Sequence, residues 1–349
     1  MEQPVKVLVV DDSRTIRALI RRSFEQYPQI VICGEAANPI EARDLIIKDQ
    51  PDVITLDVEM PGMNGLQFLE KIMRLRPIPV VMVSALTARG AETAITALQM
   101  GAFDCFPKPV SVMGTDAFAG LARLVIQAAH SCPGARAGAS QAASASVVPH
   151  GPERNWARAF ELVAIGSSTG GVEALELVLS GFPRQSPPIV ICQHMPALFT
   201  ASFSNRLNQK ITALSIAEGK DGEVLNRGDV RIAPGGERHM VVERRDGHYM
   251  TRLLSAPPVN GHCPSVDMLF DSVAEAVGRE ALGVILTGMG QDGAEGLLAM
   301  RRAGAQTIAQ DKASSVVYGM PRVAAEIGAA EHIVPLSQIA MAAMAMRAH

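Results

Sequence analysis

The stretch ELVAIGSSTGGVEAL, residues 161–175, reads as one strand, one turn and the start of one helix. Four apolar residues at 162–165 meet a knot of Gly, Ser and Thr, and a helical pattern resumes after it. Such a knot can cradle a phosphate, bind a dinucleotide or present a nucleophilic serine. A P-loop needs a lysine after its last glycine, and none follows Gly170 or Gly171. A dinucleotide fingerprint needs GxGxxG and an acid at the end of the next strand. Here the order is GSSTGG, and Gln193 and His194 stand where that acid belongs. Gly166, Ser168 and Gly170 do fit G-x-S-x-G, which lifts a serine onto a sharp strand-to-helix turn. Backbone N–H groups at such a helix start can stabilise an oxyanion, with Thr169 the first candidate.

A nucleophilic serine needs a base, and the base needs an orienting acid. Of the eight histidines, His194 alone directly follows a core strand, in IVICQHMP. That unit comes next in the chain, so His194 and Ser168 are expected at the same sheet edge. For the acid, LGVILTGMGQDGAEGL places Asp292 after a strong strand and a glycine-rich turn. Asp311, after TIAQ, competes with it. Asp292 is preferred because Gly288, Gly290 and Gly293 allow close backbone approach to a substrate, with the Met289 N–H as a second oxyanion donor. The order Ser, His, Asp differs from that of the α/β-hydrolases, so the turn does not imply that fold.

The expected second domain, 159–349, is α/β. Parallel strands are expected near 162–165, 189–193, 213–217, 282–287 and 307–310, and helices near 171–179, 266–277 and 293–303. Segments 229–233, 239–244 and 249–254 are expected as a small antiparallel addition, with a hairpin turn at Asp246-Gly247. A flexible linker is expected over 130–158, where small residues, Pro and Gly replace any apolar period.

Residues 1–129 alternate five strand-like runs (5–10, 30–35, 53–57, 79–84, 103–106) with five amphipathic segments (13–26, 39–48, 66–75, 89–100, 116–129). That pattern implies a doubly wound five-stranded parallel sheet with ligands at its carboxyl edge. To that edge the strands bring Asp11, Asp12, Asp57, Ser84 and Lys108. Clustered carboxylates repel unless a cation joins them, and oxygen ligands in a small site suit Mg²⁺. Lys108 and the Ser84 hydroxyl would then meet phosphoryl oxygens, with Asp57 as the carboxylate nucleophile.

The chain is similar to two known families. VLVVDDSRTIR, DVITLDVEMPGMNGLQFL, VVMVSALT and GAFDCFPKP resemble a response-regulator receiver domain. AIGSSTGGVEAL, IVICQHMP, DVRIAPGGERHM, VILTGMGQDGAEGL and SSVVYGMP resemble the catalytic domain of the chemotaxis protein-glutamate methylesterases. The resemblance implies phosphorylation of Asp57 by a chemotaxis histidine kinase. It implies Asp11, Asp12, Asp57 and the Glu59 carbonyl as Mg²⁺ ligands, Ser84 and Lys108 as switch residues, and a cis Lys108–Pro109 bond. It implies Ser168 as nucleophile, His194 as base and Asp292 as orienter, with Thr169 and Met289 near the oxyanion and no cofactor for the esterase step. The implied substrates are glutamate γ-methyl esters, and glutamine amides, on methyl-accepting chemoreceptors. Cys105 departs from the receiver pattern, because an aromatic switch residue usually stands three before the lysine.

Composition bounds the alternatives. A net charge of -3 and 4% aromatics give no case for a nucleic-acid partner. No apolar run is long enough to span a bilayer, so no membrane insertion is expected. Five scattered cysteines without a CxxC pair point to reduced thiols in a cytoplasmic protein. The tether suggests that the unphosphorylated receiver blocks the catalytic edge. An output domain that only binds a ligand, and an NAD-linked enzyme, are the competing classes.

Overall fold

The computed structural model describes residues 3–60, 64–85, 87–109, 117–131 and 160–346. The chain divides into two compact units, Met1–Arg136 and Ala137–His349. From residue 132 to its end, the segment expected as a linker lies outside the described residues.

The first unit runs β1 (Val5–Val10), α1 (Arg14–Phe24), β2 (Ile30–Ala36), α2 (Pro39–Asp49), β3 (Val53–Asp57), α3 (Gly65–Leu75), β4 (Val80–Ser84), α4 (Ala88–Gln99), β5 (Asp104–Pro107) and α5 (Ala119–His130). The sheet order is β2-β1-β3-β4-β5, and every pairing is parallel. β3 and β4 are buried at every position, as strands covered by helices on both faces are. The helix starts follow from side chains that accept otherwise unpaired N–H groups. Ser13, Asn38, Asn64 and Thr87 cap α1 to α4 in this way. The start expected for α5 at 116 lies outside the described residues.

The second unit runs β6 (Leu162–Ser167), α6 (Gly171–Ser180), β7 (Ile189–Gln193), α7 (Phe199–Lys210), β8 (Ser215–Glu218), β9 (Glu223–Val224), β10 (Asp229–Ile232), β11 (His239–Arg245) and β12 (His248–Leu254). It continues with α8 (Val266–Ala276), β13 (Ala281–Ile285), α9 (Ala294–Arg302), β14 (Gln306–Gln310), α10 (Met320–Glu326), β15 (His332–Val334) and α11 (Ile339–Ala345). Seven strands form a parallel sheet in the order β15-β14-β13-β6-β7-β10-β8.

One expectation is corrected here. Segment 229–233 is not antiparallel: β10 lies in the main sheet, parallel to β7 and β8. Arg231 makes it read as a half-exposed strand. The structure hides that guanidinium against Glu223 and Asp229 while Val230 and Ile232 fill the core. The small antiparallel sheet is β11-β12-β9, and its β11–β12 hairpin turns at Asp246 and Gly247, both at positive φ.

Strand order decides where a site can form. From β6 the chain moves one way to β7 and later returns on the other side to β13. β6 is therefore a topological switch point, where ligands enter a crevice at the carboxyl ends of the strands. One face of the sheet packs Leu162, Ala164, Val190, Cys192, Ala281 and Ile285 against Val266, Phe270 and Val273 of α8 and Leu297 and Met300 of α9. The alternate residues Val163, Ile165, Leu282 and Val284 are equally buried on the opposite face.

Phe270 has no exposed surface and lies between Gly166 of β6 and Gly296 of α9. Phe270→Ala should cost about 3–5 kcal/mol, since the cavity cannot collapse between two backbones. Urea unfolding that moves by less than about 1 kcal/mol would show that this contact is not central.

Candidate functional site

Ser168 is the first residue after β6, and its backbone is fixed from two sides. Its N–H donates to the Thr287 carbonyl at 3.0 Å, and its carbonyl accepts from Gln193 Nε2 at 2.9 Å. The Gln193 amide oxygen in turn accepts from Ser167 Oγ at 2.6 Å. Thr287 N–H is itself held by Gln310 Oε1 at 2.7 Å, and Thr287 Oγ1 donates to the Thr169 carbonyl at 2.9 Å. Gly170 turns the chain into α6 at φ 80°, a conformation that side chains with a Cβ rarely adopt. A Cβ at Gly288 would lie 2.8 Å from Ser168 Cβ, so the backbone leading to Met289 passes directly beside the serine.

His194 follows β7, and its N–H donates to the Ser167 carbonyl at 3.1 Å. Its Nε2 lies 2.8 Å from Asp292 Oδ2. A carboxylate only accepts, so Nε2 is the donor, and in the neutral ring Nδ1 then carries the lone pair. That Nδ1 is buried and has no hydrogen-bond partner among the described residues.

Asp292 ends the segment after β13, and it does not cap the helix that follows it. It accepts at the N-terminus of α8 instead. Oδ2 accepts from Val266 N–H at 2.7 Å, and Oδ1 from Ser265 Oγ at 2.7 Å and Asp267 N–H at 3.3 Å. Burial alone would raise its pKa. His194, the Val266 N–H and the Ser265 hydroxyl outweigh burial and hold the carboxyl well below the usual range. Asp311, the competing acid, accepts from Ser314 in a local turn after β14.

The sequence did not reveal the supporting residues Gln193, His239, Asn260, His262, Ser265 and Asp267. One signal was available, because Asn260-Gly261 is a strong two-residue turn dipeptide. His239 is fully buried, with Nδ1 accepting from Ser265 N–H at 3.1 Å. The Asp267 carboxylate accepts from Gly296 N–H at 2.8 Å and Asn260 Nδ2 at 2.7 Å. Burial and the neighbouring Asp292 charge raise its pKa to about 7.

In the first unit, Lys108 Nζ lies 2.9 Å from Asp11 and 2.8 Å from Asp57. Ligand atoms of Asp11, Asp12 and Asp57 lie within 4.8 Å of one another. Burial, with help from Asp11, raises Asp57 to about 6 against the pull of Lys108. Burial lowers the pKa of Lys108, but the two carboxylates hold it above its ordinary value. Three crowded carboxylates answered by one lysine fit a hard divalent cation with oxygen ligands, which Mg²⁺ supplies. Glu59 donates its N–H to Asp57 Oδ1 at 3.2 Å. Ser84 is fully buried at the end of β4, and its Oγ donates to the Ala85 and Gly90 carbonyls at 3.3 Å. The expected cis bond at Lys108–Pro109 is absent; among the described residues the cis peptide is Cys263–Pro264. Lys108 reaches both carboxylates without it, guided by its own N–H bond to the Ser84 carbonyl at 2.7 Å. Cys105 is buried and faces the Ala94 carbonyl of α4, whereas Phe106 packs near Phe118 with ring centroids 5.9 Å apart.

These two sites define the class: a response regulator whose output domain is an α/β enzyme. A model of the CheB methylesterase family matches residues 163–343, and one of the response regulator receiver domain matches 7–114. The chain is 53% identical over 336 residues to the protein-glutamate methylesterase/protein-glutamine glutaminase 1 of Caulobacter vibrioides, covering 96% of each protein. It is 53% identical over 339 residues to the enzyme of that name, without the number, from Agrobacterium fabrum, covering 97% of this chain and 95% of the relative. The crystal structure of the Thermotoga maritima CheB methylesterase catalytic domain matches 54% of this chain and 98% of its own at 36% identity, with a TM-score of 0.52. The chain belongs to the CheB methylesterase family, with a receiver domain ahead of the methylesterase domain. Among the described residues, no helix is long and apolar enough to cross a membrane.

The Asp267 shift has a testable sign. A carboxyl raised from an unfolded value near 4 to about 7 favours the folded state most below the unfolded value. That contribution is lost as pH rises through about 7. Asp267→Asn should therefore gain stability relative to the native protein between about pH 5 and about pH 8. Thermal midpoints of both proteins measure this, and a pH-independent difference would contradict it.

Proposed function

We propose that this protein hydrolyses glutamate γ-methyl esters, and glutamine amides, on the cytoplasmic signalling domains of methyl-accepting chemoreceptors. In this reading Ser168, His194 and Asp292 carry the chemistry. The observation that carries it is the His194–Asp292 bond, which leaves a buried, unpartnered Nδ1 at the sheet edge that also holds Ser168. His194 Nδ1 takes the proton of Ser168 Oγ as that oxygen attacks the γ-carbonyl carbon. The oxyanion is stabilised by backbone N–H groups, with Thr169 and Met289 as the donors. Collapse expels the methoxy group, which leaves as methanol with the proton from His194; an amide leaves as ammonia. Water, deprotonated by His194, then attacks the acyl-enzyme and returns Ser168 and a free glutamate carboxylate. The names of these relatives include both activities and support both substrates.

Regulation belongs to the same proposal. Asp57 accepts a phosphoryl group from a chemotaxis histidine kinase, forming an acyl phosphate. Asp11, Asp12, Asp57 and the Glu59 carbonyl would hold Mg²⁺, which when bound offsets phosphoryl charge. Lys108 pairs with a phosphoryl oxygen and the Ser84 hydroxyl donates to another. Residues 1–129 act as the receiver, 130–158 as a tether and 159–349 as the enzyme. The unphosphorylated receiver blocks the Ser168 edge, and the acyl phosphate releases it. The enzyme works in the cytoplasm, where the kinase and receptor signalling domains are.

Methanol release from methylated receptor, with and without a small-molecule phosphodonor, tests the chemistry. Ser168→Ala should lose at least roughly 10⁴-fold in rate, and unchanged release would remove the serine from the mechanism. Asp57→Ala should keep basal release and lose its stimulation by the phosphodonor.

The isolated fragment from about residue 155 onward tests the inhibition. It should release methanol faster than the unphosphorylated full chain, and equal rates would rule the blocking model out.

A further inference from the structure

Val259 to His262 touch both the base and the acid of the proposed triad. Val259 N–H donates to the His262 carbonyl at 3.0 Å, and His262 N–H donates back to the Val259 carbonyl at 2.9 Å. Between them Asn260 and Gly261 take φ of 52° and 79°. Two central residues at positive φ inside a closed pair make a type I′ turn, and Asn-Gly is its favoured dipeptide. The backbone bonds between Val259 and His262 close this turn.

The side chains of Asn260 and His262 both point to the triad. The His262 ring lies flat against the His194 ring, with centroids 3.8 Å apart and planes 5° from parallel. Asn260 Nδ2 donates to Asp267 Oδ2 at 2.7 Å and lies 3.4 Å from Asp292 Oδ1, the oxygen that His194 does not use. A single bond from Nε2 to Asp292 fixes one end of the His194 imidazole but leaves the ring able to swing about that end. A second ring stacked face to face removes the swing. The Asn260 amide thus donates to both of two neighbouring carboxylates, Asp267 and Asp292.

We propose that the Val259–His262 turn is a positioning clamp: His262 holds the plane of His194, and Asn260 joins Ser265 and Asp267 in holding the Asp292 oxygen that His194 does not use. This rests on the reading of Ser168, His194 and Asp292 as the reacting set. Neither clamp residue exchanges a proton with substrate. Their effect is to keep His194 Nδ1 aimed where the Ser168 proton must be taken.

The test uses the full-length protein and measures kcat and KM for methanol release, the rate of Ser168 labelling by a serine-directed phosphonate, and the thermal midpoint. His262→Ala removes the stacked ring, and His262→Phe keeps a flat ring without nitrogens. Asn260→Gly keeps the positive-φ turn and removes the amide. Misplacement of a reacting group by about 1 Å can cost about 100-fold. His262→Ala should therefore lose about 10- to 100-fold in kcat and labelling rate with KM within about twofold. His262→Phe should recover most of that loss, and Asn260→Gly should lose about 3- to 10-fold in kcat. Native kcat in both His262→Ala and Asn260→Gly overturns the clamp, as does His262→Phe no better than His262→Ala. A raised KM at native kcat would place His262 against substrate and overturn it too. If His262→Ala is less thermostable, the comparison of His262→Phe and Asn260→Gly with the native protein decides. Ser168→Ala separates the underlying reading: native methanol release in that variant refutes the triad, whereas its inactivity beside unaffected clamp variants refutes the clamp alone.

Discussion

The second domain depends on one buried negative charge placed at the start of a helix. Asp292 is 1% exposed, and burying an unpartnered carboxylate would cost several kcal/mol. Here the N-terminus of α8 turns two backbone N–H groups toward it, and Ser265, Asn260 and His194 add side-chain donors. Helix ends leave such donors unpaired and favour anions. The arrangement therefore serves stability and orientation together. α8 gains a partner for its first turn, and His194 gains a fixed acceptor that sets which ring nitrogen keeps the proton. The sheet makes this possible, because β13, β6 and β7 are adjacent and deliver Asp292, Ser168 and His194 to one edge.

The two domains treat carboxylates in opposite ways. In the receiver, Asp11, Asp12 and Asp57 crowd together and share Lys108, and Asp57 is pushed up to about 6. Charge there is under-neutralised, which suits a site that gains a divalent cation. In the second domain Asp292 is surrounded by donors and stays ionised, while the cost of a nearby like charge falls on Asp267. One site is short of positive charge and the other is saturated with donors. The same residue type thus serves as a phosphoacceptor candidate in one and as a fixed orienting anion in the other.

Much of the architecture was legible in the chain. Apolar runs broken by glycine, serine and aspartate located nearly every strand of both parallel sheets, because strands covered on both faces are mostly apolar. β10 was misread because a buried Arg231 imitates an exposed position until Glu223 and Asp229 are seen beside it. The residues gathered at each edge, Asp57 with Lys108 and His194 with Asp292, were also named from strand ends. The trans Lys108–Pro109 bond and the ring of support around Asp292 were not.

Periodicity and turn chemistry are local, so the sequence by itself determined the α/β class, the position of the G-x-S-x-G turn and the acidic cluster of the receiver. What lies across space from a residue is not local. Only the tertiary structure decided that Asp292 rests on the start of α8 and not on its own helix. It alone brought Asn260 and His262, about 30 and 70 residues from the side chains they touch, onto the acid and the base. A hydrogen bond or a stacked ring requires atoms within a few ångströms, and chain folding sets that separation where sequence spacing does not.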